Sequence, residues 1–530
     1  MRYGKKQRII VLVTVLLTVS VHPHLSSGET GSPAGGWRAT DASVAAGPRG
    51  QMNNVFQSIV DYFRLGINAL FGREGNALLG GTSRVKYTNY QLLRATARTD
   101  AQLQEIKELK QEMSTDVSFW TPAKKNASTD IMVAPEAVEE VKAFLKKRDI
   151  PYEVVILDVQ QMISLQNPKM SKEQREVLRG QMGHSMTFKR YHRYEDMLNY
   201  IDYLAATYPQ LVQYVNIGKS TNGLPLKVVK ISGNSSSTAA EKKSDKPAIW
   251  VDGGTHAREW ISPAAVLYIL KQLVENYKVN KRIVEGVDWY LMPLVNPDGY
   301  EYSHTTDRLW RKTRSKGEEE EGEEEEVYGR KEGKWRRRGG RVFWEKCEGV
   351  DLNRNWDFHW GERGSSDDPC DETYAGPKAF SEPETRSIAE FLMVNRDKLK
   401  VFISLHSYAQ MWLLPWGYTR AILDDHDDLM EMGRVAVDAI QKVSGNNYDL
   451  GGATSLLYHS SGGADDWAKG IADIKYTYTV ELRDTGSYGF MLPASQIIPT
   501  GKEIFAGVKA IAKSLLTKLK QPNIEPNKNN

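Results

Sequence analysis

Three separated segments of this sequence carry side-chain types that suit metal-assisted hydrolysis. His256-Ala-Arg-Glu259 follows an apolar run at 248–251 that closes in Asp252-Gly253-Gly254. A histidine and a carboxylate at this spacing can face one way on a turn, and ligands gather where the strands of an α/β sheet end. Alone, the pair reads first as a surface ion pair. Val401-Phe-Ile-Ser-Leu-His406 ends a buried-type strand in a histidine, and Thr477-Tyr-Thr-Val-Glu481 ends another in a carboxylate. By itself, His406 reads as a core histidine with its hydrogen bonds met. Jointly, two His and one Glu have the composition of a catalytic zinc set whose fourth position stays open to water. The second Glu can then serve as a base.

Further motifs follow one another in order. They are Thr255-His-Ala-Arg-Glu-Trp260, Asp307-Arg-Leu-Trp-Arg-Lys-Thr313 and Gly349-Val-Asp-Leu-Asn-Arg-Asn-Trp356, then Leu405-His-Ser-Tyr-Ala-Gln410, Tyr458-His-Ser-Ser-Gly-Gly463 and Glu481-Leu-Arg-Asp-Thr-Gly486. With these the sequence resembles the zinc metallocarboxypeptidases of the pancreatic carboxypeptidase A and B family, from about residue 191 to 516. The resemblance implies that His256, Glu259 and His406 bind one Zn2+ per chain. It makes Glu481 the general base and proton shuttle, and Arg311 a stabiliser of the oxyanion. Asn353, Arg354 and Tyr458 would hold the terminal carboxylate of a peptide or protein, and Arg258 would line a neighbouring subsite. Cys347 and Cys370 fall where the family has a disulfide.

Each implied role has a physical basis. Zinc lowers the pKa of bound water toward about 7. An arginine fork matches a carboxylate with two parallel hydrogen bonds. A clamp on the terminal carboxylate leaves only the last peptide bond within reach of the metal. In the family, the residue before an Asp-Trp pair helps set the pocket for the terminal side chain. Here it is Asp465, in Gly463-Ala-Asp-Asp-Trp467. That resembles the B type, which removes C-terminal Lys or Arg. The alternatives are A-type removal of apolar ends and an inactive peptide-binding relative.

These residues need a sheet to carry them. From about residue 191, amphipathic helical patterns at 194–208, 262–277, 382–394, 426–444 and 497–519 alternate with apolar strands at 227–231, 248–251, 288–295, 400–405 and 475–482. The expectation is an α/β fold, with a mixed central sheet and helices on both faces. Ahead of it, the β-α-β-β-α-β order predicts a small ferredoxin-like α+β domain. Its strands fall at 85–93, 117–120, 130–134 and 152–157, Thr99-Asp-Ala-Gln102 reads as a capping box, and a second helix starts at Pro135. By pattern this resembles the family's activation domain. The expected organisation is a signal peptide at 1–27, an extension at 28–84 with one amphipathic helix at 52–71, an activation domain at 85–179 and a catalytic domain at 180–520, with a polar tail at 521–530. Residues 168–193 read as an exposed, cleavable linker, with a trypsin-like cut at Arg179 and Arg175 as its rival.

Composition narrows the rest. Lys+Arg number 70 and Asp+Glu 67 among 530 residues, so the net charge of +3 offers no reason to expect nucleic acid as the ligand. Two cysteines are too few for a disulfide scaffold or a cysteine zinc cluster. Arg2, Lys5, Lys6 and Arg8 ahead of an apolar run at 9–21 predict secretion, without stable membrane insertion. Asn126 and Asn234 head sequons that would then become glycan acceptors. No pattern signals an oligomer, so a monomer is expected. Residues 318–326 hold eight Glu and one Gly, and seven cations follow between Arg330 and Arg341. The expectation there is a solvated loop insert at about 315–342.

Overall fold

A computed structural model of the chain describes residues 84–233, 246–316, 333–338 and 341–520, with 333–338 and 341–346 as backbone only. The expected signal peptide, the helix at 52–71, the Glu run, Asn234 and the polar tail lie outside these residues. Residues Thr82–Asn530 form one compact unit.

The first layer is the small α+β part. Its elements are β1 (Gln91–Thr96), α1 (Asp100–Glu112), β2 (Val117–Phe119), β3 (Ser128–Val133), α2 (Val138–Lys147) and β4 (Tyr152–Ile156). The sheet order is β2-β3-β1-β4 and every pairing is antiparallel, as the ferredoxin-like expectation requires. Leu93, Ala95, Ile106, Leu109, Val141 and Leu145 fill its core. Two local readings shift. The first strand starts at Gln91 rather than 85, because Asn89 takes a positive φ of 61° and breaks the extension. The capping box is half formed. Thr99 accepts from Gln102 N, but the Gln102 side chain reaches back to Arg98 N instead of Thr99 N.

Helix α3 (Val159–Gln166) follows, and α4 (Lys172–Met182) stands where a linker was expected at 168–193. A complete Ser171/Gln174 capping box starts α4, and Gly183 in the left-handed region ends it. No residue of α4 is buried. Its only apolar side chains are Val177, Leu178 and Met182, too few to mark a helix against the surrounding charges, which is why the pattern read as a linker.

The large part contains α5 (Tyr194–Thr207), β5 (Val212–Lys219), β6 (Pro225–Ile231), β7 (Ala248–Gly253), α6 (Ile261–Val274), α7 (Tyr277–Gly286), β8 (Asp288–Met292) and α8 (Pro297–Thr305). Its second half contains α9 (Pro383–Asn395), β11 (Leu399–Ser407), β12 (Met411–Leu414), α10 (His426–Ser444), β13 (Asp449–Gly452), α11 (Ala453–Leu456), α12 (Ala464–Gly470), β14 (Tyr476–Leu482) and α13 (Ile497–Lys518). The sheet is eight-stranded and mixed, in the order β13-β12-β14-β11-β7-β8-β6-β5. One face packs on α5, α6, α10 and α13, and the other on α9 and α12. The helix read at 262–277 is α6, which ends at Val274, and after the break at Asn276 a second helix, α7, follows that the sequence reading did not include. The edge strand β5 escaped the sequence reading because residues 213–216 are exposed and show no apolar alternation. Within the insert, residues Gly333–Arg338 (β9) and Arg341–Lys346 (β10) pair as an antiparallel hairpin rather than a plain loop. Among the described residues, no helix is long and apolar enough to cross a membrane.

Candidate metal centre and substrate cavity

The sheet register sets the centre. Strands β11 and β14 run parallel with His406 beside Glu481, so one pairing delivers the second histidine and the spare carboxylate together. Next to β11, β7 ends at Gly253 and turns through Gly254, whose φ of +71° and contact with Leu294 leave no room for a β-carbon. The turn drops His256 and Glu259 over the end of β11. Ligand atoms of His256, Glu259 and His406 lie within 4.8 Å of one another. His256 Nδ1 is 2.8 Å from Glu259 Oε1 and 3.1 Å from His406 Nδ1, and His406 Nδ1 is 3.2 Å from Glu259 Oε2. All three residues are buried.

The outer atoms of these ligands are also held. His256 Nε2 lies 3.1 Å from Asp351 Oδ1, and Arg311 donates to Asp351 Oδ2 from Nε at 3.1 Å and from Nη2 at 2.7 Å. Ser407 N donates to Glu259 Oε2 at 3.1 Å. Asp351 was not singled out in the sequence. Its only signal is its place inside the Gly349 to Trp356 motif, where an aspartate reads as readily as a turn residue.

Electrostatics favour a cation in this space. Burial and the Arg311 charge lower the pKa of His256, which keeps it in the neutral, ligating form. Burial opposes ionisation of Glu259, but His256 and His406 outweigh it and hold the carboxyl well below its usual range. Asp351 is likewise held low against burial, chiefly by Arg311. Burial opposes charge on His406, yet hydrogen bonding and charge from Glu259, with Glu481 behind it, raise the ring to about 9. Burial and the Glu259 charge push Glu481 up to about 8. Two imidazoles and a carboxylate in a pocket that rewards positive charge fit zinc.

A cavity of about 310 Å³ opens from this centre. His256, Glu259, His406, Glu481, Arg311, Asn353, Arg354, Tyr458 and Asp465 all line it. Asn353 Oδ1 accepts from Ala464 N at 2.9 Å, which leaves its N–H end to donate elsewhere. The Arg354 guanidinium lies 6.0 Å from the Tyr458 ring centre. Asp465 is buried at the start of α12, and burial raises its pKa against a hydrogen bond from Thr479. Arg258 does not line the cavity. It stacks 4.3 Å from the ring centre of Phe490, which does, and bonds Glu372 at 3.0 Å. Cys347 and Cys370 form the expected disulfide, with an S–S distance of 2.03 Å.

The small α+β part supplies the roof. Arg94, Trp120, Lys124 and Asp130 line the same cavity. Arg94 grips Asp130 with two hydrogen bonds of 2.7 and 2.9 Å, and Tyr408 Oη donates to Asp130 Oδ2 at 2.6 Å. Lys124 Nζ donates to Ser455 O at 2.7 Å, and Trp120 packs 5.2 Å from Phe490 between ring centres. None of these residues was a candidate from sequence, because the groups they meet across the cavity, Tyr408, Ser455 and Phe490, are hundreds of positions away.

Residues 197–507 match the family described as zinc carboxypeptidase, and residues 93–166 match the carboxypeptidase activation peptide. Carboxypeptidase B of Astacus astacus is 44% identical over 327 residues, covering 62% of this chain and 97% of that protein. Carboxypeptidase A1 of Bos taurus is 35% identical over 449 residues, covering 84% of this chain and 98% of its own length. Among solved structures, thrombin activatable fibrinolysis inhibitor superimposes with a TM-score of 0.67 at 32% identity, covering 81% of this chain and all of that one (100%). Carboxypeptidase A from Helicoverpa armigera gives a TM-score of 0.67 at 26% identity, over 82% of this chain and 99% of its own.

Proposed function

The chain belongs to the zinc carboxypeptidases with an activation peptide, and on that premise we propose that it is a secreted zymogen that removes C-terminal Lys or Arg once cut at Arg179. As a family member it is a zinc-dependent peptide hydrolase. The observation that carries the finer reading is the buried Asp465 carboxylate in the cavity that also holds His256, Glu259, His406 and Glu481. A buried anion attracts a Lys or Arg side chain and stays unpaired against an apolar one.

The residues divide the work as follows. His256, Glu259 and His406 hold the metal. Zinc bound there supplies a Lewis acid that activates water and polarises the scissile carbonyl. Asn353, Arg354 and Tyr458 hold the terminal carboxylate, which fixes the last residue. Glu481 takes a proton from the attacking water and passes it to the leaving amine as the C–N bond breaks. Arg311, steadied by Asp351, faces the negative charge that grows on the carbonyl oxygen. Arg258 acts one subsite away, through Phe490.

Secretion is supported by the leader-like first residues and by the Cys347–Cys370 bond, since disulfides persist in oxidising compartments. The roof of Arg94, Trp120 and Asp130 supports a latent precursor. Arg179 is exposed on α4, which buries nothing and so opens locally at little cost. Arg175 on the same helix is half-buried. The protein is proposed to act as a monomer.

The test is to treat the full chain with trypsin, sequence the new N-terminus, and assay hippuryl-Arg and hippuryl-Phe with and without a chelator. The expected result is a start at Gly180, activity only after the cut, loss with chelator, and faster release of arginine. A start at 176 would move the cut to Arg175. Faster turnover of hippuryl-Phe would establish the A-type reading instead.

A further inference from the structure

The two histidines of the centre are tethered differently, and only one tether belongs to the carboxylate described above. His406 Nε2 points away from the cavity toward Ser404 Oγ, at 3.2 Å. Ser404 Oγ donates to Asp252 Oδ1 at 2.7 Å. The other oxygen, Oδ2, accepts from Trp250 Nε1 at 2.6 Å. Sheet register creates the juxtaposition, because β7 and β11 run parallel with Asp252 directly beside Ser404. Asp252, Ser404 and Trp250 are all buried. No step of the reaction uses Asp252.

We propose that Asp252 is a positioning residue for the metal-binding face of His406, acting through Ser404. This rests on the reading of His406 as a zinc ligand. An ionised carboxylate can only accept hydrogen bonds, so Ser404 must spend its proton on Asp252. The lone pairs of Ser404 Oγ then face His406 Nε2, which must carry the ring proton. That tautomer leaves Nδ1 bare, and Nδ1 is the atom 3.1 Å from His256 Nδ1 and 3.2 Å from Glu259 Oε2. The chain of donors thus runs outward from the metal site and ends on a charge. Outer partners of this kind fix ring orientation and raise ligand basicity.

The arrangement differs from that at His256. There the carboxylate of Asp351 touches the ring directly and shares its charge with Arg311. Asp252 has Ser404 and Trp250 as hydrogen-bond partners and no ion pair among the described residues. Replacement by asparagine has no neutral solution. With its amide nitrogen toward Ser404, the amide donates, the serine turns its proton onto Nε2, and the ring proton is driven to Nδ1. With its amide nitrogen toward Trp250, two donors face each other.

The experiment measures zinc affinity of the full chain by chelator competition, together with the visible spectrum of the cobalt-substituted protein. The variants are Asp252→Asn, Ser404→Ala, Ser404→Thr and the double Asp252→Asn/Ser404→Ala. Each of the first two is expected to weaken zinc by roughly 10- to 100-fold and to shift the cobalt spectrum. The double variant is expected to lose no more than the worse single one, because both break one chain. Ser404→Thr keeps the hydroxyl and is expected to bind as the unaltered protein does. Zinc affinity within twofold in Asp252→Asn and Ser404→Ala, or losses that simply add, would overturn the relay. Should Asp252→Asn fail to fold, the Ser404→Ala and Ser404→Thr pair decides, and equal loss in both refutes it. A separate His406→Ala control guards the premise. Unchanged zinc affinity there would sink the ligand assignment itself, a different result from an intact site that ignores Asp252.

Discussion

The floor and the roof of the cavity are built on opposite plans. On the floor, His256, Glu259, His406, Asp351 and Arg311 are buried and cross-linked from four stretches of chain. Every outward-facing atom of the three side chains proposed to bind the metal has a partner, so they are held before any substrate arrives. The roof is a separate small domain docked on the floor: Tyr408 donates to Asp130, Lys124 to two carbonyl oxygens and Arg308 to Gln166, beside an apolar seam where Leu92, Trp120, Met132 and Val159 meet Leu309, Tyr408 and Phe490. Behind it, α4 is capped at both ends but buries nothing. The contrast teaches that permanence comes from side chains cross-linked within one domain, and disposability from a connection between two domains that can be cut. A fully satisfied buried network is rigid. A small domain docked across a seam between two folded parts, and joined through an exposed helix, can be released once that helix is cut.

The comparison can be broken or sharpened by substitution. The largest effect is expected on the floor. Glu481→Gln should lower kcat by as much as about 10⁴-fold, with zinc content unchanged by metal analysis. Retained kcat would show that another group moves the proton. Next is Asp465→Ser, which should erode the preference for hippuryl-Arg over hippuryl-Phe by on the order of 10²-fold. The same carboxyl gives a pH signature. Burial raises its pKa, so the carboxylate is present above that value and protonates as pH falls through it. The Arg-to-Phe ratio of kcat/KM should therefore collapse on acidification at a higher pH than an exposed aspartate would give, and groups common to both substrates cancel in the ratio.

The roof should respond more weakly. Asp130→Ala removes the acceptor of both Arg94 and Tyr408, at a cost of about 1.5–3 kcal/mol. The uncut chain should then show roughly ten- to hundredfold more activity than the unaltered zymogen, with the activated enzyme unchanged. Smallest is Ser171→Ala, which deletes the α4 cap at about 1 kcal/mol and should speed tryptic release severalfold, read as the rate of appearance of the new N-terminus. An unchanged rate would mean that α4 need not open for cleavage.

How much could be read in advance follows from what each residue depends on. His406 and Glu481 end apolar runs and His256 and Glu259 follow a strand and turn, but their roles were legible only jointly and through the motifs that carry the family resemblance. Helix α10 was legible to its ends, since its apolar stripe faces one core. Helix α4 was not, because its apolar side chains are too few to make a stripe. Asp351 and Asp252 were passed over for another reason. An aspartate beside a strand end is ordinary, and only its partner across the sheet reveals a task.

The linear order of residues was enough to place the protein among the zinc carboxypeptidases, because the motifs that carry the resemblance are local and the chain carries them wherever it goes. The fold decided which groups stand behind the ligands and which cover them. Asp351 meets His256, Ser404 meets Asp252, and Arg94 and Asp130 reach the mouth of the cavity only through sheet register and docking of the two parts. Those pairings arise from packing a whole sheet at once, and no window of sequence contains both partners.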